Sequence, residues 1–303
     1  MQSEAIIIKG IGGFYYTETP DGEIYECRAK GIFRKKGITP LAGDRVVISI
    51  NENAENTIDE IKPRTSELFR PPVANVDRLF IVSSTVEPKP VLFIIDKLTA
   101  LAEDRGIEPV VVFTKCDKAP GGEYADIYHK SGIKAFCVSN STGEGTQEVA
   151  AEFKGHISAL CGNSGVGKSS LLNSVFPDLN LKTAEISDKL GRGKHTTRHS
   201  ELFKVYGGYV ADTPGFASIA DTGRRSPSSD GGSVYSETIV PENIPFAFRE
   251  FVPYLGKCKF STCNHINDKG CKIVEAVERG EIPVSRHESY RLLLEQARSL
   301  KKY

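Results

Sequence analysis

"HISALCGNSGVGKSSLLNSVF", His156 to Phe176, runs from an apolar segment through a glycine-rich loop into a helix-like segment. Gly162, Gly167, Lys168 and Ser169 keep the spacing G-x-x-x-x-G-K-[ST], which predicts a strand, a phosphate-cradling loop and a helix N-terminus. Glycines let backbone N–H groups turn inward around phosphate oxygens. Lys168 brings charge to the β- and γ-phosphates, the Ser169 hydroxyl can ligate Mg²⁺, and the helix dipole adds its attraction. The candidate nucleotide-binding loop is Gly162, Asn163, Ser164, Gly165, Val166, Gly167, Lys168, Ser169 and Ser170. A merely structural Gly-rich turn is the plainer reading, and the strand–loop–helix setting counts against it.

A second stretch, "TKCD", Thr114, Lys115, Cys116 and Asp117, closes the apolar run "PVVVF". A carboxylate at Asp117 can accept from both N1–H and N2–H₂ of guanine. Adenine offers neither donor there and would face the carboxylate with a lone pair, so such a site discriminates by ~10⁴-fold. Lys115 can lay its stem along the base. Standing alone, an Asp that caps the next turn would explain the motif as well. "CVSNSTGEG" follows another apolar run, where Ser139 and its neighbours can offer a backbone N–H to guanine O6. Thr114 stands where GTP-binding proteins most often have Asn, and a hydroxyl makes only part of an Asn's contacts.

A third stretch, "YVADTPGF", puts Asp212 at a strand end and Gly215 three residues later. An Asp there holds the Mg²⁺ shell through water, and the Gly N–H meets the γ-phosphate. Before it lies "GRGKHTTR", whose Thr197, with Thr196 as the alternative, is the candidate Mg²⁺ ligand of a closing switch. The residue after Gly215 is Phe216, which cannot orient water, so His195 is the candidate water-positioning group. A surface-loop histidine is the competing reading of His195.

All the parts of a GTP site are therefore present, but the base reader precedes the phosphate loop. A site assembles in space, so chain order is free where the original termini lie close enough to join. The order predicts a circularly permuted domain.

Around this centre the chain divides into three. The strand-like runs "AIIIKGIGGFYY", "EIYECRAKGIF", "DRVVISI" and "NTIDEI" predict a small β-barrel over 1–68. Within it "RAKGIFRKKG" groups Arg28, Lys30, Arg34, Lys35 and Lys36 around Phe33, and is expected to be a basic hairpin that meets RNA or is simply solvated. After the Pro- and Arg-containing connector "IKPRTSELFRPPVANVDRL", strand-length apolar runs alternate with helical ones such as "VLFIIDKLTALAEDRG", predicting a parallel α/β sheet over 69–220. Residues 221–303 begin with a polar stretch expected to be a loop and continue as a mostly helical region, with a capping box at Ser285 and Glu288. There "KCKFSTCNHINDKGCK" sets Cys258, Cys263, His265 and Cys271 as a complete Cys₃His shell for one structural Zn²⁺. A disulfide would leave one of the three thiols over.

Hydrophobic residues at 39%, charged residues at 26% and a net charge of zero are those of an ordinary globular protein and exclude a global field for nucleic acid, so any RNA contact is local. No run approaches the ~18 apolar residues of a membrane span, and the N-terminus lacks a basic leader, so a cytoplasmic chain, without a membrane, is expected.

The permuted motifs, the cysteine cluster, and "GGFYY", "ECRAKGIFRK", "PLAGDRV" and "RPPVANVD" together resemble the RsgA (YjeQ/YloQ) family of circularly permuted GTPases over most of the chain. The resemblance implies an N-terminal OB-fold, a central GTPase domain and a C-terminal zinc domain. It also implies GTP/GDP as ligands, the small ribosomal subunit and its rRNA as partners in late maturation, stimulation of hydrolysis by that subunit, and the same catalytic His195. A monomer is expected. Two other readings compete: an RNA-binding assembly factor for which GTP is only a conformational ligand, and an adenine nucleotide kinase using the same phosphate loop.

Overall fold

The computed structural model describes residues 1–69, 72–177, 200–212 and 239–300. The chain forms two compact units, the first comprising Met1–Arg78, Ala150–Leu160 and Leu179–Phe216, the second Leu79–Val149, Cys161–Asp178 and Ala217–Tyr303.

In the first unit, β1 (Gln2–Ile11), β2 (Phe14–Glu18), β3 (Ile24–Ala29), β4 (Arg45–Ser49) and β5 (Asn56–Ile61) run in the order β1-β2-β3-β5-β4, and β4 returns to pair with β1. Ala5 faces Val46 across the closing antiparallel pair, and β3 and β5 are parallel with Cys27 opposite Asn56. This is the expected closed barrel, and after it β6 (Glu67–Phe69) and β7 (Pro72–Ala74) pair as a separate two-stranded antiparallel sheet. The barrel core is Ala5, Ile7, Cys27, Val46, Ile48 and Ile58, inward residues at alternating strand positions, together with Phe33.

The expected basic hairpin is not one. Residues Gly31–Lys35 form a one-turn helix, α1, and Phe33 drops into the barrel core at 8% exposure. Its ring is therefore spent on packing and does not face a nucleic acid. The alternation that marks a strand fails here because only Phe33 of "GIFRK" is buried. Arg28 pairs with Glu55 and Lys30 with Asp59, while Arg34, Lys35 and Lys36 stay exposed.

The same unit contains a hairpin the sequence did not announce. β12 (Glu201–Val205) and β13 (Gly208–Asp212) are antiparallel, and β13 runs parallel to β11 (Ile157–Cys161). β12 pairs with barrel strand β1 at Lys9 and Glu201, which also form an ion pair. The Tyr209 hydroxyl donates to Glu18 of the barrel at 3.0 Å, and Lys204 ion-pairs with the same carboxylate. The strand that ends in Asp212 is thus hydrogen-bonded into the barrel's own sheet.

In the second unit, β8 (Arg78–Ser84), β9 (Glu108–Thr114) and β10 (Lys134–Cys137) stand in the order β10-β9-β8, with β9 and β10 parallel. Leu79–Ser84 and Pro109–Thr114 are buried throughout, as strands covered on both faces are. α2 (Leu92–Asp104) and α3 (Gly122–Lys130) connect them, and α4 (Thr146–Phe153) and α5 (Lys168–Val175) follow. Two short 3-10 turns, Ile244–Ala247 and Arg249–Tyr254, lead to the helices Lys272–Glu278 and Val284–Leu300. The last helix begins at Val284, so Ser285 lies inside its first turn instead of capping it.

That helix is anchored by charge. Arg286, wholly buried, donates to Asp96 at 2.9 Å and Thr99 at 2.8 Å on α2, and to Glu250 at 2.6 Å. The rings of Phe248, Phe251 and Tyr290 pack beside it. Among the described residues no helix is long and apolar enough to cross a membrane.

Candidate functional site

The phosphate loop is held open by glycines whose conformations other residues resist. Gly162 has φ +145°, and a Cβ there would stand 2.1 Å from the Val82 carbonyl oxygen of β8. Gly167 has φ +96° and forms the left-handed residue before α5. No other side chain fits the first position, and none adopts the second without strain. Within the loop, Lys168 Nζ donates to the carbonyls of Gly162 at 2.7 Å and Asn163 at 2.8 Å, so the ammonium sits inside the curve of the loop. Burial pulls its pKa below the usual lysine value, which makes an incoming anion a favourable partner. Ser164, Gly165 and Ser170 are exposed, and Val166 is buried beneath them. Ser169 lies in the first turn of α5.

The "TKCD" motif meets this loop directly. Thr114, at the end of β9, is fully buried, and its hydroxyl lies 2.5 Å from the Val166 carbonyl and 3.2 Å from the Ser83 carbonyl. The hydroxyl therefore ties the 114–117 segment to the 162–170 loop. Lys115 takes a left-handed conformation, φ +61°, and its Nζ donates to the carbonyls of Gly165 at 2.9 Å and Glu87 at 2.8 Å. Its stem thus crosses from one loop to the other.

Asp117 is exposed. The Ser139 hydroxyl, with help from Ser141, holds its carboxyl below the ordinary value against the opposing effect of burial. The group is therefore ionised at neutral pH, the state that accepts two N–H donors. Ser139 itself is buried. Its oxygen lies 2.9 Å from that of Ser141 and accepts from Thr142 N at 3.2 Å. The segment after β10 that carries Ser139 is joined to the phosphate loop by Asn140, whose Nδ2 donates to the Gly167 carbonyl at 3.4 Å. Three separate stretches of sequence are thus joined by hydrogen bonds within the second unit.

Sequence reasoning did not foresee the side-chain role of Asn140 or the contact between Cys116 and Cys137. Asn140 entered only as a neighbour of Ser139. Cys116 and Cys137 share a hydrogen bond, and burial first, then the neighbouring Cys137, pushes the Cys116 thiol up to about 12. Their pairing follows from β9 and β10 lying side by side, which no local pattern records.

Asp212 ends β13, as expected. His195, Thr196, Thr197 and Gly215, and the polar stretch of 220–238, lie outside the described residues.

A second site is compact and separate. The ligand atoms of Cys258, Cys263, His265 and Cys271 lie within 4.8 Å of one another and can hold a metal ion. His265 Nδ1 is 3.5 Å from both Cys258 Sγ and Cys271 Sγ, which are themselves 3.8 Å apart. Burial lowers the His265 pKa, favouring the neutral imidazole that ligates. The last helix braces the loop: His287 Nε2 lies 2.7 Å from the His265 carbonyl oxygen, and the Tyr290 hydroxyl donates to the Asn264 carbonyl at 2.7 Å.

Comparison with known proteins gives a consistent result. Residues 61–221 match the family model described as RsgA GTPase, and residues 4–58 match the RsgA N-terminal domain. A Geobacillus kaustophilus protein named small ribosomal subunit biogenesis GTPase RsgA is 42% identical over 294 residues, 95% of each chain. One of the same name from Ruminiclostridium cellulolyticum is 40% identical over 306 residues, covering 98% of this chain and 95% of that one. The crystal structure of YjeQ from Thermotoga maritima superposes with a TM-score of 0.80 at 33% identity, covering 98% of this chain and 99% of that one. That of YloQ, described as a circularly permuted GTPase, gives 0.78 at 32% identity, covering 99% and 96%.

Proposed function

The chain belongs to the RsgA GTPase family, and from that premise we propose that it hydrolyses GTP in the pocket lined by Asp117, Ser139 and the 162–170 loop, as a checkpoint in late maturation of the small ribosomal subunit. The observation that carries this reading is the pair of bonds from Thr114 to Val166 and from Lys115 to Gly165, which join a guanine reader to a phosphate loop. The names of the relatives point to the partner, the small ribosomal subunit. A cytoplasmic monomer with three functional parts, 1–68, 69–220 and 221–303, goes with that role. An assembly factor for which GTP is only a conformational ligand is less well supported, because membership is of a GTPase family.

In this reading Asp117 takes N1–H and N2–H₂ of guanine. The 162–170 backbone and Lys168 hold the β- and γ-phosphates. Ser169 and Thr197 offer the hard hydroxyl oxygens suited to Mg²⁺, which supplies neutralising charge to the phosphate oxygens. His195 accepts a hydrogen bond from the attacking water and aligns it on the γ-phosphorus. The bond from that phosphorus to the bridging oxygen of the β-phosphate breaks, giving GDP and inorganic phosphate. Rate depends on ordering the segment that carries His195, which is how a ribosomal partner would stimulate it.

The metal at the Cys₃His cluster is read as one structural zinc. Bond lengths of about 2.3 Å to sulfur and about 2.0–2.1 Å to nitrogen give tetrahedral S···S and S···N edges of about 3.8 and about 3.6 Å. The edges here are 3.8 and 3.5 Å, a close fit.

The test is multiple-turnover hydrolysis of GTP and ATP by wild type and His195→Ala, with and without small subunits. The reading expects GTP to be hydrolysed and ATP not, strong stimulation of wild type, and loss of that stimulation in the variant with GDP affinity retained. Equal turnover of ATP, or full stimulation of the variant, would contradict it.

A further inference from the structure

The donors around the base do not add up without one more group. Guanine presents two donors, which Asp117 meets, and two acceptors, O6 and N7, which need N–H or O–H groups. The single hydrogen of the Thr114 hydroxyl is engaged with backbone carbonyls of Val166 and Ser83. Lys115 Nζ spends two of its three hydrogens on the Glu87 and Gly165 carbonyls, which hold it on the side of the 162–170 loop. The Ser139 hydroxyl is engaged with Ser141, Thr142 N and the Asp117 carboxylate. A backbone N–H of the Ser139 segment can serve O6. None of these contacts assigns a donor to N7.

Asn140 has one to give. Its Nδ2 carries two hydrogens, and one long bond of 3.4 Å to the Gly167 carbonyl accounts for one of them. Turning the amide end for end would set its oxygen against that carbonyl oxygen, so nitrogen faces the phosphate loop. A Cβ built on Gly167 would lie 3.3 Å from Asn140 Nδ2 and 3.6 Å from Thr114 Oγ1, so the amide lies beside the very hydroxyl that cannot reach further. Its oxygen is buried and meets no donor. An amide held by one long bond is a weak structural brace, and its second N–H is free to turn to a ligand.

We propose that the Asn140 side chain is a base-reading group whose Nδ2 donates to N7 of bound guanine, supplying the contact that Thr114 is too short to make. This rests on the guanine-nucleotide reading of the pocket.

The experiment compares GDP with 7-deaza-GDP, in which N7 is a C–H, by titration calorimetry on the full chain. Wild type is expected to bind the deaza analogue about three- to tenfold more weakly, the value of one neutral hydrogen bond. Asn140→Ala is expected to bind both nucleotides alike, at the weaker level. Equal binding by wild type, or an undiminished preference for GDP in the variant, would overturn the proposal. The wild-type arm decides the matter even if the variant does not fold. An ADP arm separates the two readings: GDP binding that resists ADP but ignores N7 removes Asn140 alone, whereas ADP competing equally removes the guanine pocket itself.

Discussion

Replacing Thr114 by Val tests the join between the two halves of the site. Valine matches threonine in shape, so β9 keeps its packing and the backbone bond from Thr85 N to residue 114 O, 3.0 Å long, is untouched. What disappears is the hydroxyl that now reaches the Val166 carbonyl. Val166 is 2% exposed, and water cannot readily replace the lost partner. Leaving a buried acceptor unpaired costs about 1–3 kcal/mol. Val166 sits between Gly165 and Gly167 in the phosphate loop, so part of that cost returns as a loop that must be ordered when nucleotide binds. An effect of about 1–2 kcal/mol is expected on binding, a weakening of GDP affinity by about 5- to 30-fold. Titration calorimetry reads it, with Thr114→Ser, which keeps the hydroxyl, expected to stay within about threefold of wild type. Wild-type affinity in Thr114→Val with a folded protein would refute the claim that this hydroxyl couples the base reader to the phosphate loop.

Other parts of the molecule make their own demands. Arg286→Met should destabilise the protein by about 3–5 kcal/mol in denaturant unfolding, because Asp96 and Glu250 would be left as buried, unpaired acids; the triple replacement Arg286→Met, Asp96→Leu, Glu250→Leu should recover most of the loss. Asp59, in the barrel, titrates at about 2 although burial alone would raise it, because the Ser49 and Thr57 hydroxyls and the Lys30 ammonium outweigh that burial. Its contribution is complete above the unfolded value of 3.8 and is lost as pH falls toward about 2, so Asp59→Asn should flatten the acid limb of the stability curve of the barrel. Purified protein should contain one zinc per chain by elemental analysis, and chelation, or Cys271→Ser, should release it and lower the helical circular dichroism of the C-terminal region.

How much of this could be read from the chain depends on where each constraint is recorded. The form of the 162–170 loop was legible because its glycines are demanded locally by backbone conformation. The place of "TKCD" at a strand end was legible because it follows a run of buried strand residues. Asp96 and Thr99 were not. They interrupt the apolar face of α2 and look like solvent-side residues, yet they are buried to receive Arg286, 190 residues away. Phe33 was misjudged for a related reason: basic neighbours made its segment look like a surface hairpin, while a single helical turn carries that ring inward. The pairing of β12 with β1 likewise leaves no mark in either segment. Local chemistry is written in sequence, whereas which charged or apolar residue finds a distant partner is settled only by the assembled fold.

The most direct measurement is the nucleotide preference of Asp117→Asn. Xanthine carries a carbonyl oxygen where guanine carries the N2 amino group, and the Asn amide can donate to that oxygen while accepting from N1–H. Wild type should prefer GTP over xanthosine triphosphate, and the variant should reverse that order while Lys168 still holds the phosphates of both. A variant that keeps its preference for GTP would show that Asp117 does not face the base in the pocket that Lys168 serves.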